Sequence, residues 1–150
     1  MKINLRVVID TNVLVSSLAK IKNSPSYQIL KSIRAGEIIF STSNQILEEV
    51  RNVIGRERIV KFTKMTIAQR ENFMDLIIRR SDLSEGKTSL TLSSRDIKDN
   101  MFLVCAYEVQ ADYLITGDRD LLVLKEFAGT KIVTPREFVN ILKKINSLNL

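Results

Sequence analysis

Residues 5–12 read LRVVIDTN, and this segment decides the class of fold. Its first part, residues 5–9, is mostly apolar and rich in β-branched side chains, which favour strands. Its second part, residues 10–12, is polar and typical of the turn that closes a strand. Since the apolar residues do not alternate with polar ones, we predict a strand of a parallel sheet that is buried on both faces.

The rest of the chain alternates helices with further short strands. The predicted strands are residues 37–40, 113–116 and 131–133, and the predicted helices are residues 13–18, 27–35, 46–54, 57–64, 67–80, 99–109, 121–127 and 138–145. Thr42, Thr66 and Thr134 each precede a Gln or Glu by three residues, which is the spacing of a capping box at a helix start. Residues 81–92 are predicted to form a polar loop that leads into an edge strand at residues 89–92. This alternation indicates an α/β fold with a mostly parallel sheet between helices.

The composition is that of one globular domain over residues 1–150. Hydrophobic residues make up 45% of the chain and charged residues 27%, which excludes a disordered or low-complexity protein. Every apolar run is shorter than the roughly 20 residues of a membrane-spanning helix, and the first residues lack the apolar centre of a signal peptide. Cys105 is the only cysteine of the sequence, so the chain suits a reducing compartment. We therefore expect a cytoplasmic protein.

The sequence contains no histidine, and this excludes several kinds of catalytic site. Ser-His-Asp and Cys-His catalysis, zinc sites with His ligands and a histidine general base are all impossible. Any chemistry must therefore depend on carboxylates, Lys, Arg, Ser, Thr or Tyr. The net charge of +6 favours a polyanionic partner such as nucleic acid.

Carboxylates follow the predicted strands, where ligand sites of parallel sheets lie. Asp10 directly follows the first strand, and Asp118 and Asp120 follow the strand at residues 113–116. Asp99 lies in the first turn of its helix, on the same face as the apolar side chains. It is interpreted either as a site residue or as an acid that matches the helix dipole.

The helix after Thr42 carries two adjacent acids that differ in their position on the helix. With the apolar face centred near Val50, Glu49 flanks that face and Glu48 lies almost opposite to it. Glu49 is therefore the better site candidate, with a boundary position beside the core as the alternative, and Glu48 is expected in solvent.

Four carboxylates, Asp10, Glu49, Asp99 and Asp118, are thus expected at one edge of the sheet. Clustered carboxylates repel each other and raise each other's pKa unless a cation lies between them. Mg²⁺ or Mn²⁺, which prefer oxygen ligands, suits a chain without histidines or cysteine pairs. Such an ion activates water and stabilises the charge of a phosphodiester under attack. The residues therefore predict a metal site for phosphodiester hydrolysis.

Five segments resemble the PIN-domain family, and within it the toxins of toxin–antitoxin operons that are related to the VapC ribonucleases. The segments are VVIDTNVL at 7–14, ILEE at 46–49, DIKDNMFL at 96–103, ADYLITGDRDLL at 111–122 and VTPREF at 133–138. The resemblance implies a three-layer α/β/α fold with a central, mostly parallel sheet of about five strands. It also implies a Mg²⁺- or Mn²⁺-dependent endoribonuclease. For such an enzyme we expect attack by metal-activated water, which leaves a 5′-phosphate and a 3′-hydroxyl.

The same resemblance assigns roles by position. The members of the family's acidic quartet, which is both catalytic and metal-binding, match Asp10, Glu49, Asp99 and Asp118. Asp120 matches an accessory acid of the metal site, Asn12 the polar residue that orients Asp10, and Thr116 the small hydroxyl residue near the metal. Asp96 is an alternative to Asp99. The family also implies RNA as the substrate, a cognate antitoxin protein as a partner and a homodimer.

Other interpretations remain open beside this one. The alternative from a different functional class is a non-catalytic RNA-binding or partner-binding module with the same fold. Each of two basic runs is interpreted as a solvated face, an RNA track or an antitoxin contact, and they comprise Arg51, Arg56, Arg58, Lys61 and Lys64, then Arg79 and Arg80. Phe62, Phe73 and Met74 are interpreted as core or dimer-contact residues before base-stacking ones. A haloacid-dehalogenase-like phosphatase is disfavoured, because it needs an acid where Asn12 stands.

Overall fold

The computed structural model describes residues 4–85 and 97–148, and the side chains of residues 97–100 lie outside this description. The strands are β1 (Arg6–Ile9), β2 (Ile39–Ser43), β3 (Ser81–Ser84), β4 (Tyr113–Ile115), β5 (Glu126–Phe127) and β6 (Thr130–Val133). The helices are α1 (Thr11–Ser17), α2 (Pro25–Arg34), α3 (Asn44–Ile54), α4 (Glu57–Thr63), α5 (Ile67–Arg80), α6 (Ile97–Val109), α7 (Arg119–Leu122) and α8 (Pro135–Leu148).

The strands form one six-stranded sheet in the order β3-β2-β1-β4-β6-β5. Neighbours pair in parallel except for β5, which is antiparallel to β6. Val7, Val8 and Ile9 of β1 are all fully buried, and because successive side chains of a strand point to opposite faces, both faces of β1 are covered. The predicted α/β fold with a mostly parallel sheet between helices is therefore confirmed.

Several helix starts lie where the sequence predicts them, because capping depends on neighbouring residues alone. Thr66 and Gln69 form both bonds of a capping box at the start of α5, and Thr134 and Glu137 exchange the same two bonds before α8. The first predicted cap, Thr42, is wrong by one residue. Since β2 continues to Ser43, the hydroxyl of Ser43 instead caps α3 by accepting from the backbone N–H of Ile46 at 3.2 Å.

Two predicted elements are wrong near the edges of the sheet. Residues 81–84, predicted as loop, form the edge strand β3, which pairs with β2. Arg6 of β1 stabilises this polar strand from two strands away in the sheet. Its Nη1 donates to Ser41 Oγ of β2 at 2.8 Å and to Asp82 Oδ2 of β3 at 2.9 Å. The predicted helix at residues 121–127 ends at Leu122, and left-handed backbone at Lys125 precedes strand β5. The edge strand predicted at residues 89–92 lies outside the described residues.

The parallel topology positions the candidate site. Because parallel strands end at the same edge of a sheet, the carboxyl ends of β1, β2 and β4 converge there. Asp10 and Thr116 directly follow β1 and β4, and Ser43 is the last residue of β2, which is the other neighbour of β1. Among the described residues, no helix is both long and apolar enough to cross a membrane.

Candidate active site

Asp10 is held in one orientation at the junction of β1 and α1. It is the N-cap of α1 and only 4% exposed. Its Oδ1 accepts from the backbone N–H of Val13 at 3.0 Å, and the hydroxyl of Thr116 donates to its Oδ2. The backbone N–H groups of Asn12 and Gly117 also bond this carboxylate. Four residues thus fix the acid, Asn12 and Val13 after β1 and Thr116 and Gly117 after β4.

Burial shifts the proton equilibrium of Asp10. Desolvation raises the pKa of its carboxyl above the ordinary value of 3.8, and the hydrogen bonds from Thr116 and from the backbone oppose this effect without cancelling it. A buried carboxylate costs free energy when it is ionised, and a nearby cation lowers that cost. The environment of Asp10 therefore favours a positively charged ligand.

Thr116 connects Asp10 to Asp118. Its side chain is fully buried, and its hydroxyl donates to Asp10 while it accepts from the backbone N–H of Asp118 at 3.0 Å. Asp118 is the N-cap of α7, and its Oδ1 accepts from the backbone N–H of Asp120 at 2.8 Å. Asp118 is partly buried and Asp120 is exposed. One buried hydroxyl thus links the carboxylate after β1 to the backbone of the acid after β4.

Thr11 makes the corresponding connection to α3. Its buried hydroxyl donates to Glu49 Oε2 at 2.7 Å. Glu49 is partly buried, whereas the adjacent Glu48 is exposed. Because Thr11 directly follows Asp10 in the chain, this bond brings Glu49 to the same edge of the sheet.

The donor atoms suit a hard divalent cation, although the described carboxylates do not form a complete site. Asp10, Glu49 and Asp118 offer only oxygen atoms, the ligands that Mg²⁺ and Mn²⁺ prefer. Nevertheless, in the part of the chain that the structure describes, no three Asp, Glu or Cys residues stand close enough to hold a metal ion. The backbone of Asp99 belongs to α6, but its side chain lies outside the described residues, as does all of Asp96.

The two predicted supporting residues, Thr116 and Asn12, differ in how they contact Asp10. Thr116 bonds Asp10 directly, whereas the side chain of Asn12 is exposed and the bond from Asn12 comes from its backbone. The role of Thr11 is not predicted by the sequence. The one signal for it is a hydroxyl residue next to Asp10, and that signal does not reveal a contact with a helix more than thirty positions away.

Comparisons with known proteins place this chain beside one family and two similar proteins. Residues 6–120 match the protein family described as PIN domain. A protein of Methanocaldococcus jannaschii, named uncharacterized protein MJ1680, is 31% identical over 157 aligned positions that cover 97% of each chain. The fold is similar to a chain in the crystal structure of VapBC2 from Rickettsia felis bound to a DNA fragment from their promoter. The TM-score is 0.56 at 14% identity, with 87% of this chain and 98% of that chain covered.

Proposed function

This chain belongs to the PIN-domain family, and we propose that it is a Mg²⁺- or Mn²⁺-dependent endoribonuclease. Members of this family are generally nucleases that use divalent metal ions. The observation that carries the proposal is the pair of bonds made by the buried Thr116 hydroxyl, which ties the buried carboxylate of Asp10 to Asp118. A buried acid held beside a second acid is expected where a cation has to bind.

The chain's own residues prepare the site for the cation. The residues that would hold it are Asp10, Glu49, Asp99 and Asp118, with Asp120 as an accessory acid. When bound, the cation would lower the pKa of a water molecule and neutralise charge on the phosphodiester. Thr116 and Thr11 fix the carboxylates of Asp10 and Glu49 through their hydroxyls, so these two ligands need little reorganisation. The side chain of Asp118 is oriented at the start of α7, because its Oδ1 accepts from the backbone N–H of Asp120.

RNA is the proposed substrate, and water is the proposed nucleophile. The net charge of +6 supports a polyanionic substrate. The chain has no histidine as a general base for a 2′-hydroxyl, and the proposed cation would activate a water molecule, so water is proposed to attack the phosphorus. Cleavage then leaves a 5′-phosphate and a 3′-hydroxyl, and 2′,3′-cyclic phosphate ends would contradict this mechanism.

The proposed biological role is that of a toxin in a toxin–antitoxin pair. Its support is the similarity of fold to a chain of the VapBC2 complex, which was crystallised with promoter DNA. We therefore propose a cognate antitoxin as partner, a homodimer, and a cytoplasmic location for a protein of one PIN domain.

The second candidate function is a non-catalytic RNA-binding or partner-binding module. One observation favours it, namely that the described carboxylates by themselves do not form a group of three around an ion. Whether Asp99 completes that group distinguishes the two candidates, since catalysis requires ligands placed to within an ångström.

Cleavage of end-labelled RNA by the purified protein tests the proposal. The reactions contain Mn²⁺, Mg²⁺ or EDTA, and the variants are Asp10→Asn and Asp118→Asn. Asp75→Asn is the matched control, because it makes the same chemical change at an exposed position of α5. We expect metal-dependent cleavage by the wild type and the control and at least a hundredfold loss in both site variants.

Two outcomes would contradict the proposal. A wild type that binds RNA but never cuts it supports the non-catalytic module instead. Undiminished cleavage by both site variants would show that Asp10 and Asp118 are dispensable, so that the cleavage does not come from the proposed site.

A further inference from the structure

Helix α4 has a cationic outer face. None of its residues is fully buried, and it packs against α3 with Ile59, Val60 and Thr63 partly buried. Arg58, Lys61 and Phe62 are exposed. Because residues three and four apart are neighbours on a helix, Arg58 lies beside both Lys61 and Phe62.

Phe62 was predicted as a core or dimer-contact residue, and its exposure shows that it is not a core residue. Its exposed fraction is 56%, whereas Phe73 and Met74 of α5 are buried as expected. It is also the only large apolar side chain of α4 that is exposed. The ring therefore presents a large apolar surface to solvent among charged neighbours.

Basic residues flank Phe62 in the chain. Arg56, Arg58, Lys61 and Lys64 lie within nine consecutive residues, together with a single acid, Glu57. Glu57 Oε1 lies 3.2 Å from Lys61 Nζ. Within the described residues, no carboxylate lies within 4.0 Å of Arg56, Arg58 or Lys64. We name this surface, formed by Arg56, Arg58, Lys61, Phe62 and Lys64, the α4 platform.

We propose that the α4 platform binds single-stranded RNA, with phosphates on its cations and a base stacked on Phe62. Proteins bind single strands through a basic surface that follows the phosphates and aromatic rings on which bases stack. Lys61 and Lys64 disfavour a protein partner, because lysine is depleted at protein–protein interfaces. The choice of RNA as the ligand rests on the proposed function. The new element is the surface of the protein that holds the strand.

The position of α4 suits a strand that also reaches the candidate active site. Glu49 and the α4 platform are joined through α3, and the distance from Glu49 to the end of α3 at Ile54 is about 8 Å along the helix axis. α4 begins three residues after that end. A strand bound at the acids therefore passes close to α4 when it follows α3.

Binding of a fluorescein-labelled oligouridylate, measured by anisotropy in EDTA over a series of salt concentrations, tests the α4 platform. EDTA prevents cleavage, so the wild-type protein is used. The double variant Arg58→Gln/Lys61→Gln is expected to reduce the slope of log K against log salt by about 1.4, which corresponds to two lost phosphate contacts on a single strand. Phe62→Leu is expected to weaken binding at least about fivefold, and Phe62→Tyr, which keeps the ring, is expected to bind like the wild type.

The control is Lys143→Gln/Lys144→Gln, which removes the same charge from exposed positions of α8. It should leave the affinity and the slope unchanged, and an equal loss in both double variants would overturn the proposal in favour of a net-charge effect. A second contrary result would be that Phe62→Leu binds RNA like the wild type but elutes as a monomer on size exclusion where the wild type elutes as a dimer. The surface would then be a contact with a second copy of the chain. Platform-dependent binding without any metal-dependent cleavage would contradict the proposed nuclease and leave this inference intact.

Discussion

The hydroxyl of Thr11 donates a hydrogen bond of 2.7 Å to Glu49 Oε2. It joins the residue next to Asp10 to a helix that follows a different strand of the sheet. A carboxylate that accepts such a bond keeps its orientation before any ligand binds, and groups of this kind tune metal affinity. Thr11 is therefore a positioning residue for Glu49.

Replacing Thr11 by Val should weaken metal binding. Val keeps the shape of Thr but removes the donor, so Glu49 loses its fixed orientation, and the affinity for Mn²⁺ is expected to fall about tenfold or more. Thr11→Ser retains the hydroxyl and should bind Mn²⁺ like the wild type. Calorimetric titration of the purified variants measures both values, and equal affinities for the Val and Ser variants would show that the hydrogen bond has no role in metal binding.

Neutralising Glu49 should impair metal binding more than neutralising Glu48. Glu49 is partly buried and bonded to Thr11, whereas Glu48 is exposed. The same Mn²⁺ titration on Glu49→Gln is expected to show at least a tenfold loss of affinity, with less than a twofold change for Glu48→Gln. The two variants remove the same charge from adjacent residues, so a similar loss in both would indicate a long-range charge effect and not ligation.

The sequence predicts those parts of the fold that depend on local chemistry. The capping box at Thr66 and the helix start at Thr134 need only residues three positions apart, and both are confirmed. The run at residues 5–9 is apolar without alternation, so its burial in a parallel sheet also follows from its own residues.

Features that depend on contacts between residues far apart in the chain are not predictable from the sequence. Strand β3 is polar and carries no strand pattern, and the bond from Arg6 to Asp82 that stabilises it spans 76 positions. For the candidate site, the position of Asp10 after its strand is predictable, because strand order decides it. The bond from Thr11 to Glu49 is not, because it depends on how α3 packs beside α1.

Cys105 should be unreactive in the folded protein. Its side chain is fully buried, and burial raises the pKa of its thiol from 9.0 to about 11. Since the thiolate is the reactive form, a disulfide reagent such as dithionitrobenzoate at pH 8 should label the native protein at least a hundredfold more slowly than the denatured protein. Rapid labelling without denaturant would show that α6 opens easily and would contradict the packing of this helix on the sheet.

Asp10 should destabilise the metal-free protein at neutral pH. Its pKa is higher in the folded chain than the ordinary 3.8, so between these two pKa values the folded state binds more protons than the unfolded state. The free energy of unfolding therefore falls as the pH rises through that interval. Asp10→Asn, which cannot ionise, is expected to have a higher midpoint of thermal unfolding than the wild type at pH 7 in EDTA, with a smaller difference toward pH 4.

Divalent metal should reverse this order of stabilities. A ligand that binds only the folded state stabilises it, so saturating Mn²⁺ is expected to raise the midpoint of the wild type and to leave that of Asp10→Asn almost unchanged. Differential scanning calorimetry at both pH values, with Asp75→Asn as the control for loss of a surface carboxylate, measures these shifts. The opposite result would be a variant Asp10→Asn that is less stable than the wild type in EDTA at pH 7. The hydrogen bonds from Thr116 and Val13 would then outweigh desolvation, and Asp10 would be a structural cap of α1 and not a metal ligand.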